Sequence, residues 1–476
     1  MPIDTKHPAY LEMQPEWEMC RDVTAGSRRI KKKGVVYLPQ LSGQDNSDYE
    51  KYKTRALFYG AASRTVQGLV GSVFRKEPVI TPEPNVEKIK FVTPKGETLP
   101  MFLRKVVSEV ITTGRYGVFV DSPSDEESDD CFLLGYPAES IINWRTITNK
   151  GVEVLVSVVL EEKEMRQKSN GDMYEYDTWT IYRHLYLVMT DGVFEFRVDI
   201  WEKDPTADDS KPVHKKTIIP QVRGKSVSHI PFYFVNPLNS TSDVERSPIA
   251  DVCDVNISHY NSSADLEHGR HFTALPTAWV AGFDLDEGKQ LTIGSQTAWV
   301  SNNTDAKAGY LEFKGQGLMA LEHALKEKES LMAILGARFL EDTKKNVESF
   351  ETHQIRKGGE ISILASIANA TSLAMDRALE WWSYCKGYSP PVQILLNTDF
   401  NPVKMSPSEL KEQVAAWQAG AISWETFVYN LKNGELIPAN ITADEERERI
   451  ENDKDATTET EEDVAVGETD EEDPDN

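Results

Sequence analysis

The sequence predicts an α+β protein, in which a mixed first half built around an antiparallel sheet precedes a largely helical second half. Three observations predict this class. Residues 48–74 and 99–113 show the three-to-four-residue apolar spacing of helices. Residues 152–234 are rich in β-branched and aromatic side chains. From Ser247 onward, helical periodicity returns and continues over most of the chain.

Two helices and one strand are predicted before the sheet. Residues 48–74 are expected to form one helix, because Tyr52 and Ala56 begin an apolar stripe at helical spacing. Residues 99–113 predict a second helix, and residues 117–121 predict a strand.

The sheet is expected to be an antiparallel meander within residues 152–234. The dipeptides Asn170-Gly171 and Asp191-Gly192 favour the tight turns that join antiparallel strands. The predicted strands are residues 152–160, 178–188 and 193–202.

The second half is predicted to be helical, with one small β-rich interruption. Ser247-Pro248 is a helix start signal, because a capping residue is followed by proline at the first helical position. This helix is expected to end near Gly269. Residues 272–313 predict strands and turns, and residues 318–340 predict a returning helix.

A long helix is predicted over residues 349–385. Gly358 and Gly359 lie inside it and predict a kink or a close helix contact, since each glycine costs about 1 kcal/mol relative to alanine. One strand and two short helices are predicted beyond it, at residues 392–396, 406–419 and 423–431.

Charge argues against a protein that grips nucleic acid through a broad basic face. The 476 residues contain 52 Lys and Arg against 77 Asp and Glu, a net charge of −25. Residues 441–476 contain 17 acidic and three basic side chains, which leaves a net charge of −11 on the remaining 440 residues. Since residues 450–476 have few apolar side chains, we expect an acidic, disordered tail.

The four cysteines favour a reducing compartment over a disulfide or zinc framework. Cys20, Cys131, Cys253 and Cys385 are far apart in sequence and form no Cys-x-x-Cys pair. The first residues do not resemble a signal peptide, and the longest weakly polar run, residues 361–375, is too short to span a bilayer. We therefore expect a soluble intracellular protein.

The sequence predicts no catalytic, cofactor-binding or metal site. The segment Gly315–Gly317 matches a loose dinucleotide-binding fingerprint, but no parallel β-α-β alternation surrounds it. His268 and His271 lack a third metal ligand nearby. The basic run at residues 28–33 is typical of a nucleic-acid or targeting patch, but in so acidic a protein a contact with an acidic neighbour, for example on another subunit, is an equal alternative, and a solvated face is the default expectation.

The order of these parts resembles the portal proteins of tailed bacteriophages, in particular a group with a portal-like domain formerly of unknown function. Each stretch that shows the resemblance is modest alone, and the ordered set is more specific. The stretches are Tyr52–Ala56, Thr65–Gly71, Phe74–Pro78, Gly317–Leu318, Leu335–Arg338, Thr398–Phe400 and Gly420–Thr426.

The resemblance implies a phage portal fold, assembled as a ring of about twelve copies at one capsid vertex. It divides the chain into a wing (1–246), two stem helices (247–271 and 318–340), a β-rich clip (272–317), a tunnel loop (341–348), a long helix that returns to the wing (349–405), a helical crown (406–449) and the acidic tail (450–476).

The resemblance also implies function and partners. Double-stranded DNA would be packaged and ejected through the ring, and the terminase and the head-completion adaptor would dock on the clip. Major capsid and scaffolding proteins would surround a ring that is assembled in the host bacterial cytoplasm and retained in the virion. The implied residues are Thr343, Lys344, Lys345 and Asn346 facing DNA, Trp279, Asp284, Asp286, Lys289 and Trp299 contacting clip partners, and Gly358 and Gly359 at a helix kink.

The charge suits such a conduit, because a strongly basic wall would hold DNA in place, whereas an acidic wall with one thin basic ring lets it slide. Lys344 and Lys345 are the candidates for that ring, and the alternative is that both merely solvate a loop. Two other functions stay open at this point. One is a nucleotide-dependent enzyme that uses the Gly315–Gly317 turn, and the other is a capsid or tail structural protein without DNA contact.

Overall fold

The structure is a computed structural model that describes residues 2–82, 91–122, 131–168, 172–190, 192–205, 211–274, 277–282, 299, 303–311, 316–339, 362–400, 405–434, 436–437 and 441–452. The chain divides into two compact units. The first consists of Met1–Phe74 with Ile80–Thr398, and the second of Arg75–Val79 with Asp399–Asn476.

Helices and strands are mixed along the first unit, as an α+β class requires. The helices are α1 (Pro8–Ala25), α2 (Ser27–Lys33), α3 (Asn46–Arg55), α4 (Ala61–Val73), α5 (Leu99–Thr113), α6 (Ala250–Ala274), α7 (Gln316–Ala337) and α8 (Ile363–Lys386). The strands are β1 (Val79–Thr81, which begins in the second unit), β2 (Tyr116–Asp121), β3 (Phe132–Pro137), β4 (Ile141–Asn149), β5 (Val152–Gln167), β6 (Tyr176–Thr190), β7 (Val193–Lys203), β8 (Val213–Ile218), β9 (Gln221–Val222), β10 (Lys225–Ser226), β11 (Phe232–Val235), β12 (Thr277–Ala281), β13 (Lys307–Leu311) and β14 (Gln393–Leu395).

The largest sheet has five strands in the order β4-β5-β6-β7-β8, and all of its pairings are antiparallel. Gly151 and Gly192 adopt positive φ angles of 81° and 79° in the turns before β5 and β7, a conformation that glycine adopts without strain. The sheet begins at Ile141, before the predicted start at residue 152. It does not include Phe232–Val235, so the predicted boundary of 152–234 was wrong at both ends.

Phe232–Val235 instead belongs to a second sheet, in which β2 lies between β11 and β3. Close packing selects this arrangement. A Cβ atom at Gly117 would lie 2.3 Å from the Phe232 ring, so only glycine admits that side chain. The pairing joins segments more than 100 residues apart, and no local pattern in the sequence could reveal it.

Helix α8 is largely buried, with Leu364, Ile367 and Trp382 each fully enclosed. The hydroxyl of Ser362 accepts a hydrogen bond from the Ala365 N–H at its start, and Gly387 ends it in the left-handed conformation. The predicted long helix began at residue 349. The structure describes it from Ile363, and residues 349–361, with Gly358 and Gly359, lie outside the described residues.

The single helix predicted over residues 48–74 was wrong, because α3 ends at Arg55 and α4 begins at Ala61. Backbone groups in the interruption bond to α6 instead of to their own helix. The Leu57 N–H donates to Ser263 Oγ at 3.2 Å, and the Tyr59 carbonyl accepts from Asn256 Nδ2 at 2.7 Å. Tertiary hydrogen bonds therefore override the local helical pattern.

The second unit contains two helices, α9 (Pro407–Gln418) and α10 (Trp424–Asn433), and a helical segment over residues 443–452. Ser406 and Glu409 form a capping box at the start of α9. Trp417 stacks on Phe427 with ring centroids 5.1 Å apart, which packs α9 against α10. Within the residues that the structure describes, no helix is both long and apolar enough to cross a membrane.

Candidate functional site

Helices α6 and α7 form an antiparallel pair, and the hairpin β12–β13 lies between them in the chain. Arg270 Nη2 contacts Glu322 Oε1 at 2.8 Å, and His259 Nε2 contacts Glu329 Oε1 at 3.3 Å. Residue numbers rise along one helix as they fall along the other, which fixes the antiparallel direction. The two helices join the hairpin at the same end of the pair, because α6 leads into β12 and β13 leads into α7.

Polar contacts also link the pair near the middle of both helices. The Lys328 ammonium donates to the Ser258 carbonyl at 3.0 Å and to Ser262 Oγ at 2.6 Å. Burial lowers the pKa of Lys328, and it also lowers the pKa of His259, with Glu329 opposing the shift at the histidine. These side chains therefore make polar contacts between the two helices.

The predicted limits of α6 were both wrong. The helix begins at Ala250, because the Ser247 hydroxyl donates to the Thr112 carbonyl at 2.8 Å instead of capping the helix. It also continues past Gly269 to Ala274. Gly269 is a packing residue here, since a Cβ atom at this position would lie 2.5 Å from Leu318 Cδ2.

The described part of the hairpin is short and largely open to solvent. Strand β12 pairs antiparallel with β13, so that Trp279 lies opposite Gly309 and Ala278 opposite Tyr310. Side chains alternate between the two faces of a strand, so Trp279 and Tyr310 lie on opposite faces. They are 38% and 56% exposed. Both faces therefore present an aromatic side chain, and a two-stranded hairpin is at best marginally stable alone.

Helix α7 also has an exposed apolar face. Leu331 and Ile334 are 43% and 51% exposed, whereas Met332 is buried. The spacing of three residues places Leu331 and Ile334 on one side of the helix. Among the described residues, no neighbour buries this face.

The outer side of α6 is held by the segment around α3. Tyr52 donates a hydrogen bond to Asp265 Oδ1 at 2.6 Å, and the buried Asn256 accepts from the Ala62 N–H at 3.2 Å. No sequence motif assigns Asn256 a functional role. A polar residue within an otherwise apolar helical stripe was the available signal, because buried amides need hydrogen-bond partners.

A groove of about 400 Å³ lies between α6, α7 and the interruption between α3 and α4, lined in part by Phe58, His259 and Leu325. Among the described residues, no group of three or more His, Cys, Asp or Glu side chains could hold a metal ion. His271 Nε2 lies 3.0 Å from the Arg55 guanidinium, which opposes a metal ion at that nitrogen.

The dinucleotide alternative lacks its structural context. Gly317 lies inside α7, and the strand that precedes this helix, β13, pairs antiparallel with β12. The dinucleotide fold requires a parallel strand there, with the glycine turn between strand and helix.

The structure describes two of the predicted clip residues, Trp279 in β12 and Trp299 outside any element. The other predicted site residues, Asp284, Asp286, Lys289, Thr343, Lys344, Lys345, Asn346, Gly358 and Gly359, lie outside the described residues.

The basic run at residues 28–33 meets acidic side chains of this same chain. Arg29 Nε bonds to Asp22 Oδ1 at 2.6 Å, and Lys33 forms ion pairs with Asp22 and Glu18. Two of its cations are therefore neutralised by α1 without another subunit.

In sequence, a family model described as a domain of unknown function, DUF4055, matches residues 248–384. This range contains the helix pair, the hairpin and most of α8. No curated protein matches the chain.

In structure, the chain is similar to chains of gene transfer agent (GTA) particles. The neck of an empty GTA particle computed with C6 symmetry gives 12% identity and a TM-score of 0.37, over 87% of this chain and 100% of that chain. The neck of a native GTA particle computed with C12 symmetry gives 11% identity and a TM-score of 0.34, over 78% and 89%. The virion of a native GTA particle gives 11% identity and a TM-score of 0.35, over 83% and 95%. These sequence identities and TM-scores describe a distant structural similarity.

Proposed function

We propose that this chain is a portal subunit. Copies of it form a ring-shaped channel at one capsid vertex, through which double-stranded DNA is packaged and ejected. The observation that carries the proposal is the antiparallel pair α6–α7 with a β-hairpin inserted at one end. This is the arrangement that the resemblance to portal proteins requires of the stem and the clip.

Assembly into a ring follows from what the subunit leaves exposed. Leu331 and Ile334 on α7, and Trp279 and Tyr310 on the hairpin, have no cover among the described residues that would bury them. Neighbouring copies related by a rotation would bury these faces, and a head-to-tail contact that closes gives a ring, here of about twelve copies.

The clip is the proposed docking platform for the terminase and the head-completion adaptor. Trp279 is exposed on β12, which suits an aromatic anchor for a partner. Asp284, Asp286, Lys289 and Trp299 are proposed as further clip contacts. Major capsid and scaffolding proteins are the proposed neighbours of the wing within the virion.

DNA contact is proposed for residues 343–346. In a ring of about twelve copies, Lys344 and Lys345 provide about 24 positive groups at one height. The net charge of −25 per chain makes the rest of the wall repel phosphate. The energy for packaging comes from ATP hydrolysis by the terminase, so the proposed role is not enzymatic. Purified rings that hydrolyse ATP without a motor protein would contradict this assignment of ATP hydrolysis to the terminase.

The native mass of the purified full chain, measured by light scattering and imaged in the same sample, tests the ring. Twelve copies of the 53.7 kDa chain give a species of about 640 kDa with a central hole. If the chain stays monomeric alone, it is assembled with scaffolding protein before the measurement. A closed particle of dimeric size under both conditions would overturn the proposal.

DNA contact is tested separately in assembled particles. Replacing Lys344 and Lys345 by glutamate should change the DNA content per particle. The matched control replaces Lys215 and Lys216, two adjacent exposed lysines on β8, and should leave it unchanged. Equal DNA content in both variants would favour a structural protein that does not touch DNA.

A further inference from the structure

The groove of about 400 Å³ beside the helix pair has an apolar wall that stays open to solvent. Its apolar side chains come from Leu57 and Phe58 in the interruption between α3 and α4, from Leu266 on α6 and from Leu325 on α7. Leu57 is 64% exposed there. The break that Asn256 and Ser263 hold against α6 therefore supplies one side of the groove.

The exposed apolar ridge of α7, formed by Leu331 and Ile334, lies on the side of the helix opposite to the groove. Glu322 and Leu325 line the groove, and each precedes one ridge residue by nine positions. Nine residues make about two and a half turns of an α-helix, which reverses the direction of a side chain. Leu331 is thus opposite to Glu322, and Ile334 is opposite to Leu325.

A contact between α7 and α4 agrees with these directions. Gly336 follows the groove residue Glu329 by about two turns and so lies on the groove side of α7. A Cβ atom at Gly336 would lie 3.3 Å from Thr65 Oγ1 in α4. The groove side of α7 therefore faces this chain's own α3–α4 segment, and the ridge faces away from it.

We propose that the ridge of one copy docks into the groove of the next copy, an inference that rests on the ring proposed above. The occupant of the groove is then an amphipathic helix, α7 of a second copy of this chain. Because groove and ridge lie on opposite sides, each copy uses its groove for one neighbour and its ridge for the other. A contact of this head-to-tail kind closes into a ring, whereas a two-fold contact of ridge with ridge stops at a dimer and leaves the groove empty.

Charges at the edges of the two surfaces are complementary. Arg270 in the groove is already paired with Glu267 and Glu322. Lys326 is exposed at the groove, and the part of the chain that the structure describes gives it no ion pair. Glu327 lies one turn before Leu331 on the ridge side and contacts only the exposed His323, at 3.4 Å, among the described cations. Docking brings the Lys326 surface of one copy against the Glu327 surface of the next.

Cross-linking of the full chain tests the docking. Leu57→Cys and Leu331→Cys are introduced together, and the assembled protein is treated with a short bismaleimide and separated on a denaturing gel. The four natural cysteines are buried, so the two added thiols are the ones that react in the folded chain. The expected product is a ladder that extends beyond the dimer toward the complete ring. A short reagent does not join the two positions within one copy, because they lie on opposite sides of α7.

Two controls accompany the double variant. A mixture of Leu57→Cys chains with Leu331→Cys chains should give dimers and nothing larger, since each chain has one added thiol. Leu238→Cys in place of Leu57→Cys is the matched control, because Leu238 is 67% exposed and lies outside the groove. It should give no ladder. Circular dichroism checks the fold, and Tyr59→Cys at the same groove replaces Leu57→Cys if that variant does not fold.

The native mass of the same samples separates this inference from the proposed function. Rings that give no more cross-linking than the Leu238→Cys control would overturn the docking and leave the ring intact. Dimers from Leu331→Cys alone would overturn it too, because the ridges would then meet each other. If no ring forms with or without scaffolding protein, the docking and the proposed function are both wrong.

Discussion

Gly269 of α6 lies directly against Leu318 of α7, such that a Cβ atom at position 269 would be 2.5 Å from Leu318 Cδ2. A Cβ atom at Gly317, the residue before Leu318, would lie more than 4 Å from every described atom outside its chain neighbours and its own helix backbone. The helix pair therefore contains one glycine that the packing requires and one that it does not.

Replacing each glycine by alanine separates these roles. Gly317→Ala should raise the free energy of unfolding by up to about 1 kcal/mol, because alanine favours a helix. Gly269→Ala gains the same preference but must displace Leu318, so it should be at least about 1 kcal/mol less stable than Gly317→Ala. Adding Leu318→Ala to Gly269→Ala should recover part of that difference. Denaturant unfolding measures all three, and equal stability of the two single variants would contradict the close contact.

Asn256 holds the interruption between α3 and α4 against α6. Its side chain is buried, and Asn256→Ala removes its bonds to the Ala62 N–H and the Tyr59 carbonyl. Leaving buried polar groups without partners should cost about 1–3 kcal/mol. Asn261→Ala on the same helix is the control, since the structure gives the Asn261 Oδ1 no hydrogen bond within the described residues. If thermal unfolding shows a similar loss of stability for both variants, the two hydrogen bonds of Asn256 make no specific contribution to stability.

The burial of His259 predicts a pH dependence of stability, which its contact with Glu329 only partly offsets. Burial lowers the pKa of His259 below 6.5, so the unfolded chain binds this proton more readily than the folded chain. Stability should therefore fall as the pH decreases through 6.5, and the loss is complete below the lowered pKa. Thermal midpoints of His259→Gln should depend less on pH than those of the unaltered chain. The exposed His323→Gln is the control and should keep the full dependence.

Burial also lowers the pKa of other histidines, which remain in both variants, so the difference between the two curves isolates His259. These are His7, His184, His229 and His268. Identical curves for His259→Gln and the unaltered chain would contradict the prediction.

The exposed face of α7 should decide assembly. Leu331→Glu and Ile334→Glu together should prevent ring formation without unfolding the subunit, because both side chains are already largely exposed. Leu238→Glu is the matched control, since Leu238 is 67% exposed and lies outside the helix pair. Native mass gives the result, and circular dichroism checks the fold. If the double variant forms rings of unchanged mass, this face of α7 is not part of the subunit interface.

Elements defined by local signals were predictable from the sequence. Helix α5 spans residues 99–113 in the structure as in the prediction, with Pro100 in its first turn and Gly114 in the left-handed conformation after its end. The capped starts of α9 and α10 at Ser406 and Ser423 are equally local. Capping and periodicity act within a few residues, so the sequence alone expresses them.

The sequence by itself therefore determined the α+β class, the helix–hairpin–helix order and most helix positions. Only the tertiary structure decided where contacts between distant residues outweigh local preference. The break after Arg55 depends on Asn256 and Ser263, and the pairing of β11 with β2 depends on the close contact between the Phe232 ring and Gly117. A hydrogen bond or a packed contact forms between residues that are hundreds of positions apart, and its energy exceeds the few tenths of a kcal/mol by which most neighbouring residues favour one conformation.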